Sequence, residues 1–471
     1  MLPHFPVSFL FLTAGVLGSP MYDMMIYPPM YVRDTFGTFN HTQDLFASTV
    51  IPIFDVQPVM AEIEGLQLKY QDALDFLSGK NLVALPDALS DPGLDALSDA
   101  AFTDTTSDLS GFVLFGSTTI SQQANMSFSR MNAAAQSATD PLTDEMQKII
   151  HVPFFGQLEF GKKAQQLSVA FDTGSSDMWV PANCGDCGTP QYNAAASSTY
   201  RDTGNAFNMN YDGISYVEGT LAYDTIGMGS LKVNDQYFGA VTDVSRNFNA
   251  DMISGCLGLG FSSIATSGKP TFFENLIMQE KIEAPFFSVH LTRGKTRGSK
   301  ITLGGYDMSK AVGPMTWVSV ISKTYWTVHF DGAVVGGNYV SGNVDAVIDT
   351  GSSFIYVSQT LASSIYANVN TRGWPRSKLQ ALASSPIRAT PTPRFHSRLA
   401  GTDFGLSIQD FNLGQDGHGS TNCIGGIIGL DDAFMEGIVI IGHEFMKSWY
   451  SVFDYSHGAR VGFAPSINNA Q

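Results

Sequence analysis

From "HVPFFGQLEFGKKAQQLSVAFDTGSS" (residues 151–176) onward, apolar residues come in short bursts broken by Gly, Asn and Ser. Further runs of the same kind are "YFGAVTDV", "KITLGGYD", "TYWTVHFDGAVVGG" and "YSVFDYSHGARVGFAP". Rich in β-branched and aromatic residues and punctuated by turn formers, they predict a predominantly antiparallel β protein. Helical periodicity is scarce, and "FFENLIMQEKI" (272–282) carries it best.

The first third of the chain reads differently. "ALPDALSDPGLDALSDAAFTDTTSDLSG" (84–111) is low in complexity, acidic and broken by Pro and Gly, a composition poorly suited to burying a core. Residues 21–146 hold 17 acidic and 4 basic side chains, a balance of −13, whereas residues 147–471 balance at −4. The Asn-x-Ser/Thr sequons at Asn40 and Asn125 also lie in this acidic region. Ahead of it, the apolar run at residues 5–18 ends in small residues, as a secretory signal peptide cut near Gly18 would. The expected organisation is a signal peptide at 1–18, an acidic propeptide at 19–145, and two β-lobes at 146–320 and 321–471. A retained disordered extension is the alternative for 19–145.

Composition narrows the function. A chain of 471 residues that is 44% hydrophobic and 15% charged can bury sizeable cores, and its net charge of −17 speaks against nucleic acid as a partner. No later apolar run reaches the ~20 residues of a membrane span, and "SINNAQ" is no hydrophobic anchor signal. A secreted protein is expected, with a vacuolar one as the alternative.

The strongest signal is a repeat. "FDTGSSDMWV" begins at Phe171 and "IDTGSSFIYV" at Ile348. About 90 residues after each comes a pair of apolar residues followed by Gly, in "GCLGLGF" (Gly258) and "VIIGHEF" (Gly442). Two copies point to a duplicated domain, not a solenoid. In each, an apolar strand runs into Asp, and Thr-Gly permits a tight turn that aims the carboxylate out of the sheet. One such motif could be an ordinary Asx-type turn. Two, facing each other across a pseudo-twofold axis, would bring Asp172 and Asp349 together. Carboxylates that close cannot both ionise at ordinary cost, so the pair keeps one proton. It then holds a base and an acid in one place, able to deprotonate water while protonating a peptide carbonyl oxygen.

Residues from about 150 to 468 resemble a pepsin-like aspartic endopeptidase of fungal type. "FDTGSSDMWVP" and "AVIDTGSSFIYV" resemble the two active-site loops, and "GCLGLGF" and "VIIGHEFMKSWYSVFDYSHGARVGFAP" the strands threaded behind them. "MNYDGISYVEGTLAYDT" (209–225) resembles the flap hairpin. The resemblance implies two β-lobes around a cleft and hydrolysis without a covalent intermediate, preferring large hydrophobic residues around the scissile bond. It implies that Asp172 and Asp349 hold the water, and that Ser175 and Ser352 bond the outer carboxylate oxygens. Gly174 and Gly351 would leave room for water and substrate, with Thr173 and Thr350 as further support. Tyr211 would shield the site from the flap, with Gly213 beside it and Trp179 behind; the plainer reading of both aromatics is core packing. The partners implied are polypeptide substrates and the chain's own propeptide, whose Lys69 or Lys80 would neutralise the dyad; no cofactor, metal, nucleic acid or membrane is expected, and the enzyme would be a monomer.

The sequence also departs from that family. Asp212, Gly213 and Ile214 follow Tyr211, so the flap glycine has shifted. His443 stands after Gly442 where Asp is common, either as a solvated or structural residue or as a lost carboxylate that changes the dyad's pH range. The resemblance pairs Cys184 with Cys187, leaving Cys256 and Cys423 as free thiols. Residues 370–398 carry Pro and Arg where alternating strands are expected, and the strand pattern resumes at "AGTDFGLSIQDFNL". A silent relative using the cleft for binding, or a glycosidase with paired carboxylates, are the competing readings. The first normally lacks an Asp or its Ser/Thr neighbour, and the second leaves the doubled frame unexplained.

Overall fold

A computed structural model describes residues 154–470 apart from 211–215, 246–252, 283, 296, 370–385, 389–394 and 416–421. Upstream it describes strand residues 138–143, 146–147 and 150–151, and residues 62, 63, 66, 69 and 70. The expected signal peptide, both sequons, Lys80 and the 84–111 stretch lie outside these residues.

The chain is mainly β. Among the described residues one sheet has thirteen strands and a second has eight, and each contains the same four-strand unit. In the first, Gln165–Asp172 runs parallel to Gly255–Gly258, with Asp172 opposite Gly258. Gly255–Gly258 is antiparallel to Met178–Pro181, which is parallel to Leu231–Val244. In the second, Asn338–Ile348 runs parallel to Ile438–Ile441, with Ile348 opposite Ile441. Ile438–Ile441 is antiparallel to Ile355–Ser358, which is parallel to Ile427–Leu430. Order and sense match strand for strand, so the duplication read in the sequence is one of topology too.

The glycine after each apolar pair has a steric reason. A Cβ on Gly258 would run into the Ser176 backbone, and one on Gly442 into the carbonyls of Ser352 and Phe354. Each strand passes so close behind its turn that only Gly fits. The flanking apolar residues Leu257, Leu259, Ile440 and Ile441 are fully buried.

The halves are interlaced at their edges. The C-terminal strands Trp449–Asp454 and Arg460–Pro465 pair with each other, and the former also pairs with Phe286–His290 of the first sheet. Ala138–Thr143, on the propeptide side of the expected boundary, pairs along Arg297–Leu303 and touches Phe155 through Thr143. Helix Phe272–Met278 forms within the expected helical segment, closed by a Thr271–Glu274 capping box. Helix Gln359–Val369 went unread, although Ala362, Ile365 and Tyr366 bury one face at helical spacing. The strand pattern returns at Phe395–Leu399, earlier than the sequence suggested. There Phe395, Ser397 and Leu399 point inward, and the strand pairs with Trp326–Val335.

Candidate active site

Asp172 ends its strand, and the next residues fold back to bond its carboxylate. Gly174 N–H donates to Oδ1 at 2.9 Å and Ser175 Oγ to Oδ2 at 2.6 Å. The second turn repeats this: Gly351 N–H donates to Asp349 Oδ1 at 2.8 Å, and Ser352 Oγ donates to Oδ2. Gly, with no side chain, lets the turn close over its own Asp. It also lets the turns meet, because a Cβ at Gly174 would sit 2.5 Å from Asp349 Oδ1 and one at Gly351 would collide with Asp172 Oδ1.

Four crossed hydrogen bonds lock the turns together. Thr173 Oγ1 donates to Ile348 O (2.8 Å) and accepts from Thr350 N–H (2.9 Å). Thr350 Oγ1 donates to Phe171 O (2.7 Å) and accepts from Thr173 N–H (2.9 Å). Each hydroxyl, used as donor and acceptor, satisfies backbone groups buried on the opposite half. Thr173 and Thr350 therefore fix the spacing of the two carboxylates.

Both aspartates are buried, Asp172 7% exposed and Asp349 0%, and a lysine bridges them. Lys69 Nζ lies 2.8 Å from Asp172 Oδ1 and 3.0 Å from Asp349 Oδ2. Tyr70 OH donates to Asp349 Oδ2 at 2.7 Å. Glu62 accepts the Ser353 N–H at 2.6 Å, next to the second turn. Leu66 and Tyr70 pack with Val347, Phe354, Tyr356 and Ile440, and the Tyr70 ring lies 5.2 Å from that of Tyr325. The sequence singled out Lys69 as one of two candidate basic residues; Tyr70 and Glu62 were missed. The "LKY" step, a lysine beside an aromatic residue in an acidic region, is the signal that was available.

The electrostatics are unequal. Burial pushes the Asp172 carboxyl up, Lys69 pulls it back, Asp349 adds to the rise, and the net shift is upward. Burial acts the same way on Asp349, but Lys69 and the bonds from Asp172, Ser352 and Tyr70 outweigh it, so its carboxyl lies well below the usual range. Burial would lower the Lys69 ammonium, and the two aspartates more than reverse this. With Lys69 in place, the two carboxyls are therefore shifted in opposite directions, Asp172 upward and Asp349 downward.

Trp179 is buried with Phe207, Val217, Leu221, Val241 and Cys256. Arg201–Asn210 and Tyr216–Met228 pair up to Asn210 opposite Tyr216, forming the stem of the expected flap. Tyr211 and Gly213, at its tip, lie outside the described residues. Cys184 and Cys187 form a disulfide. Cys256 is a buried free thiol, and the side chain of Cys423 lies outside the described residues. His443 is fully buried, not solvated; its Nε2 is 2.6 Å from Thr350 O and its ring meets Phe154 edge-on at 4.7 Å. Among the described residues no group of three or more His, Cys, Asp or Glu side chains is placed to hold a metal ion, and no helix is long and apolar enough to cross a membrane.

Comparison with known proteins gives one answer. The chain matches the family "Eukaryotic aspartyl protease" over residues 153–466. It is 31% identical over 358 residues to an aspartic protease of Phaffia rhodozyma, covering 74% of this chain and 83% of that protein. It is 32% identical to cathepsin E-B of Xenopus laevis over 346 residues (70% and 83%) and 31% identical to cathepsin D of Gallus gallus over 340 residues (70% and 84%). Doubled turns locked by their threonines, a twofold-repeated strand unit and a match spanning both halves agree: the chain belongs to the pepsin-like eukaryotic aspartyl protease family and is an aspartic-type endopeptidase.

Proposed function

We propose that the protein is a secreted acid endopeptidase made as an inactive precursor, in which Asp172 and Asp349 share one proton and activate a water between them. The observation that carries this is the pair of turns facing each other with both carboxylates on one ammonium. Once Lys69 leaves, a water can take its place between the carboxylates. One aspartate takes a proton from that water as it attacks the peptide carbonyl, and the other donates its proton to the carbonyl oxygen. Ser175 and Ser352 hold the outer oxygens, and Gly174 and Gly351 leave space for the water and the peptide backbone. We propose, too, a preference for large hydrophobic side chains around the scissile bond.

The segment carrying Lys69 acts as the inhibitor. It occupies the place of the water and cancels the charge of the pair, and the Tyr70 hydroxyl and Glu62 carboxylate fasten it to the second turn. Maturation removes it by a cut between residues 128 and 148. The pairing of Ala138–Thr143 within the sheet favours a cut on the N-terminal side of Ala138.

The test is hydrolysis of denatured haemoglobin or casein at acid pH by the processed protein, with a statine-containing peptide as inhibitor and N-terminal sequencing of the active species. A statine hydroxyl mimics the tetrahedral intermediate and should block turnover. Processed protein that binds the peptide but hydrolyses nothing would leave a binding role; active protein still beginning near Ser19 would remove the inhibitory-segment reading.

A further inference from the structure

Cys256 lies in the strand Gly255–Gly258, between Ala170 on one side and Trp179 on the other. Its Sγ is 4.0 Å from Asp172 Oδ2 and 3.8 Å from Ser175 Oγ, and Ser175 itself donates to that same oxygen. The residue is 8% exposed and belongs to a buried cluster with Trp179 and the flap-stem residues Phe207, Val217 and Leu221. The strand register identifies its counterpart in the other half. Leu257 pairs with Phe171 as Ile441 pairs with Ile348, so Cys256 corresponds to Ile440. The turns have matching Gly, Ser and Thr contacts, but a thiol stands beside one carboxylate and a hydrocarbon at the equivalent place beside the other.

Resting on the dyad reading above, we infer that Cys256 is a positioning residue: its S–H, directed at the outer oxygen of Asp172, tips the charge of the pair onto Asp172 once Lys69 has left. A thiol is a weak donor, and a donor favours the ionised form of the carboxylate it faces. Burial, and then the neighbouring Asp172, push the Cys256 thiol far up, so it stays an S–H donor throughout the acid range. In the Lys69-bound form the Tyr70 hydroxyl supplies an extra donor to Asp349. When that segment departs, Asp349 retains Gly351 and Ser352, whereas Asp172 retains Gly174, Ser175 and Cys256. The charged and titratable groups that act on the thiol are Asp172, Asp349 and, before processing, Lys69. Asp177, on the turn behind, is directed away to the amides of Thr266 and Ser267. The buried cluster that contains Cys256 otherwise holds Trp179, Phe207, Val217, Leu221 and Val241, none of which titrates, and the one titratable side chain packed against that cluster is Tyr237.

The bias has a signature that packing alone would lack. In a coupled pair, losing a donor to the aspartate that carries the charge raises the first apparent pKa and leaves the second in place. The experiment is the pH dependence of kcat/KM for the processed enzyme and for Cys256→Val, Cys256→Ala and Cys256→Ser, each normalised to its own maximum. Val keeps much of the volume and Ala relieves any crowding; both remove the donor, whereas Ser offers a stronger one. The expected result is an acid limb displaced upward in Val and Ala, lowering the normalised rate on that limb by about twofold. In Ser the limb stays at or below the parental position, and the limb toward neutral pH is unmoved in all three. Profiles that superimpose, a shift confined to the neutral limb, or a Ser shift in the same direction as Val would overturn the inference. Asp172→Asn is the control that separates the two readings. Parental turnover in that variant removes the dyad itself, whereas its loss together with unmoved Cys256 profiles removes only the role of the thiol.

Discussion

Around Asp172 the strand behind the turn supplies Cys256 and Leu259; around Asp349 the same positions hold Ile440 and His443. The bonds made by Gly, Ser and Thr within and between the turns are alike. What five consecutive residues determine has stayed equal, and what the surrounding half supplies has diverged. The segment carrying Lys69 follows this difference. Its ammonium reaches both carboxylates, but Tyr70 and Glu62 fasten only to the second turn. Equivalent backbones therefore do not make equivalent acids, and the second turn is the anchoring side.

The strongest way to break the comparison is to neutralise each aspartate. Asp172→Asn and Asp349→Asn should each lower kcat/KM by about 10²–10⁴-fold while the protein stays folded, because the reaction needs one ionised and one protonated carboxyl. For the same reason the parental profile should be bell-shaped and acidic; a rate still rising at pH 8 would sink the shared-proton mechanism.

Next in size is Lys69. Lys69 pulls both carboxyls toward lower values, so its contribution to docking is present while they are ionised and is lost as pH falls through their values in the docked state. The uncut precursor should release its segment on acidification. Lys69→Met leaves two buried carboxyls without their cation, a change of about 3–5 kcal/mol for a broken buried pair. That precursor should take up a fluorescent statine peptide at neutral pH, where the parent does not. Equal uptake by both would place the inhibitory contact elsewhere.

Smaller is the effect of the crossed threonines. Thr173→Val and Thr350→Val each remove two hydrogen bonds and strand buried backbone groups, at about 1–3 kcal/mol per group left unsatisfied. The two should lower Tm by similar amounts, since their contacts are equivalent; a large inequality in calorimetry would show that the frame is less symmetric than its geometry.

The smallest effect is expected from making the second half more like the first. His443→Leu installs the residue found at 259 and removes the bond to Thr350 O. A loss of about 1 kcal/mol is expected, visible as a small fall in Tm. A fall as large as that of Thr350→Val would make the imidazole, not the threonine, the main support of the second turn.

The turns could be read from the sequence because their chemistry is local: Asp, Thr, Gly and Ser within five residues determine where the carboxylate points. The glycines behind them were readable as a pattern, although their reason, contact with Ser176 or with the carbonyls of Ser352 and Phe354, needed the fold. Choosing Lys69 over Lys80, and noticing Tyr70 and Glu62, required knowing which side chains reach across some 280 residues of sequence to Asp349. The strand Phe395–Leu399 was hidden by its polar outer face. Its Arg398 pairs with Asp403 on the neighbouring strand and lies over the Tyr339 ring, so a surface ladder looked like an interruption. His443 could be read equally as solvated or structural, because polarity alone cannot reveal a carbonyl waiting at Thr350.

The edge interlacing of the sheets sets a timetable for synthesis. Ala138–Thr143 and Arg460–Pro465 belong to the same thirteen-stranded sheet. That sheet cannot be completed until Pro465 has left the ribosome, about 25–90 s after translation starts at about 5–20 residues per second. For most of that time, strands such as Phe286–His290 wait with an open edge for a partner more than 150 residues downstream. An unpaired strand edge is a template for the wrong neighbour. A nascent chain of this design therefore depends on what shields it during those seconds, and yield in a foreign host should respond to chaperone supply before it responds to stability.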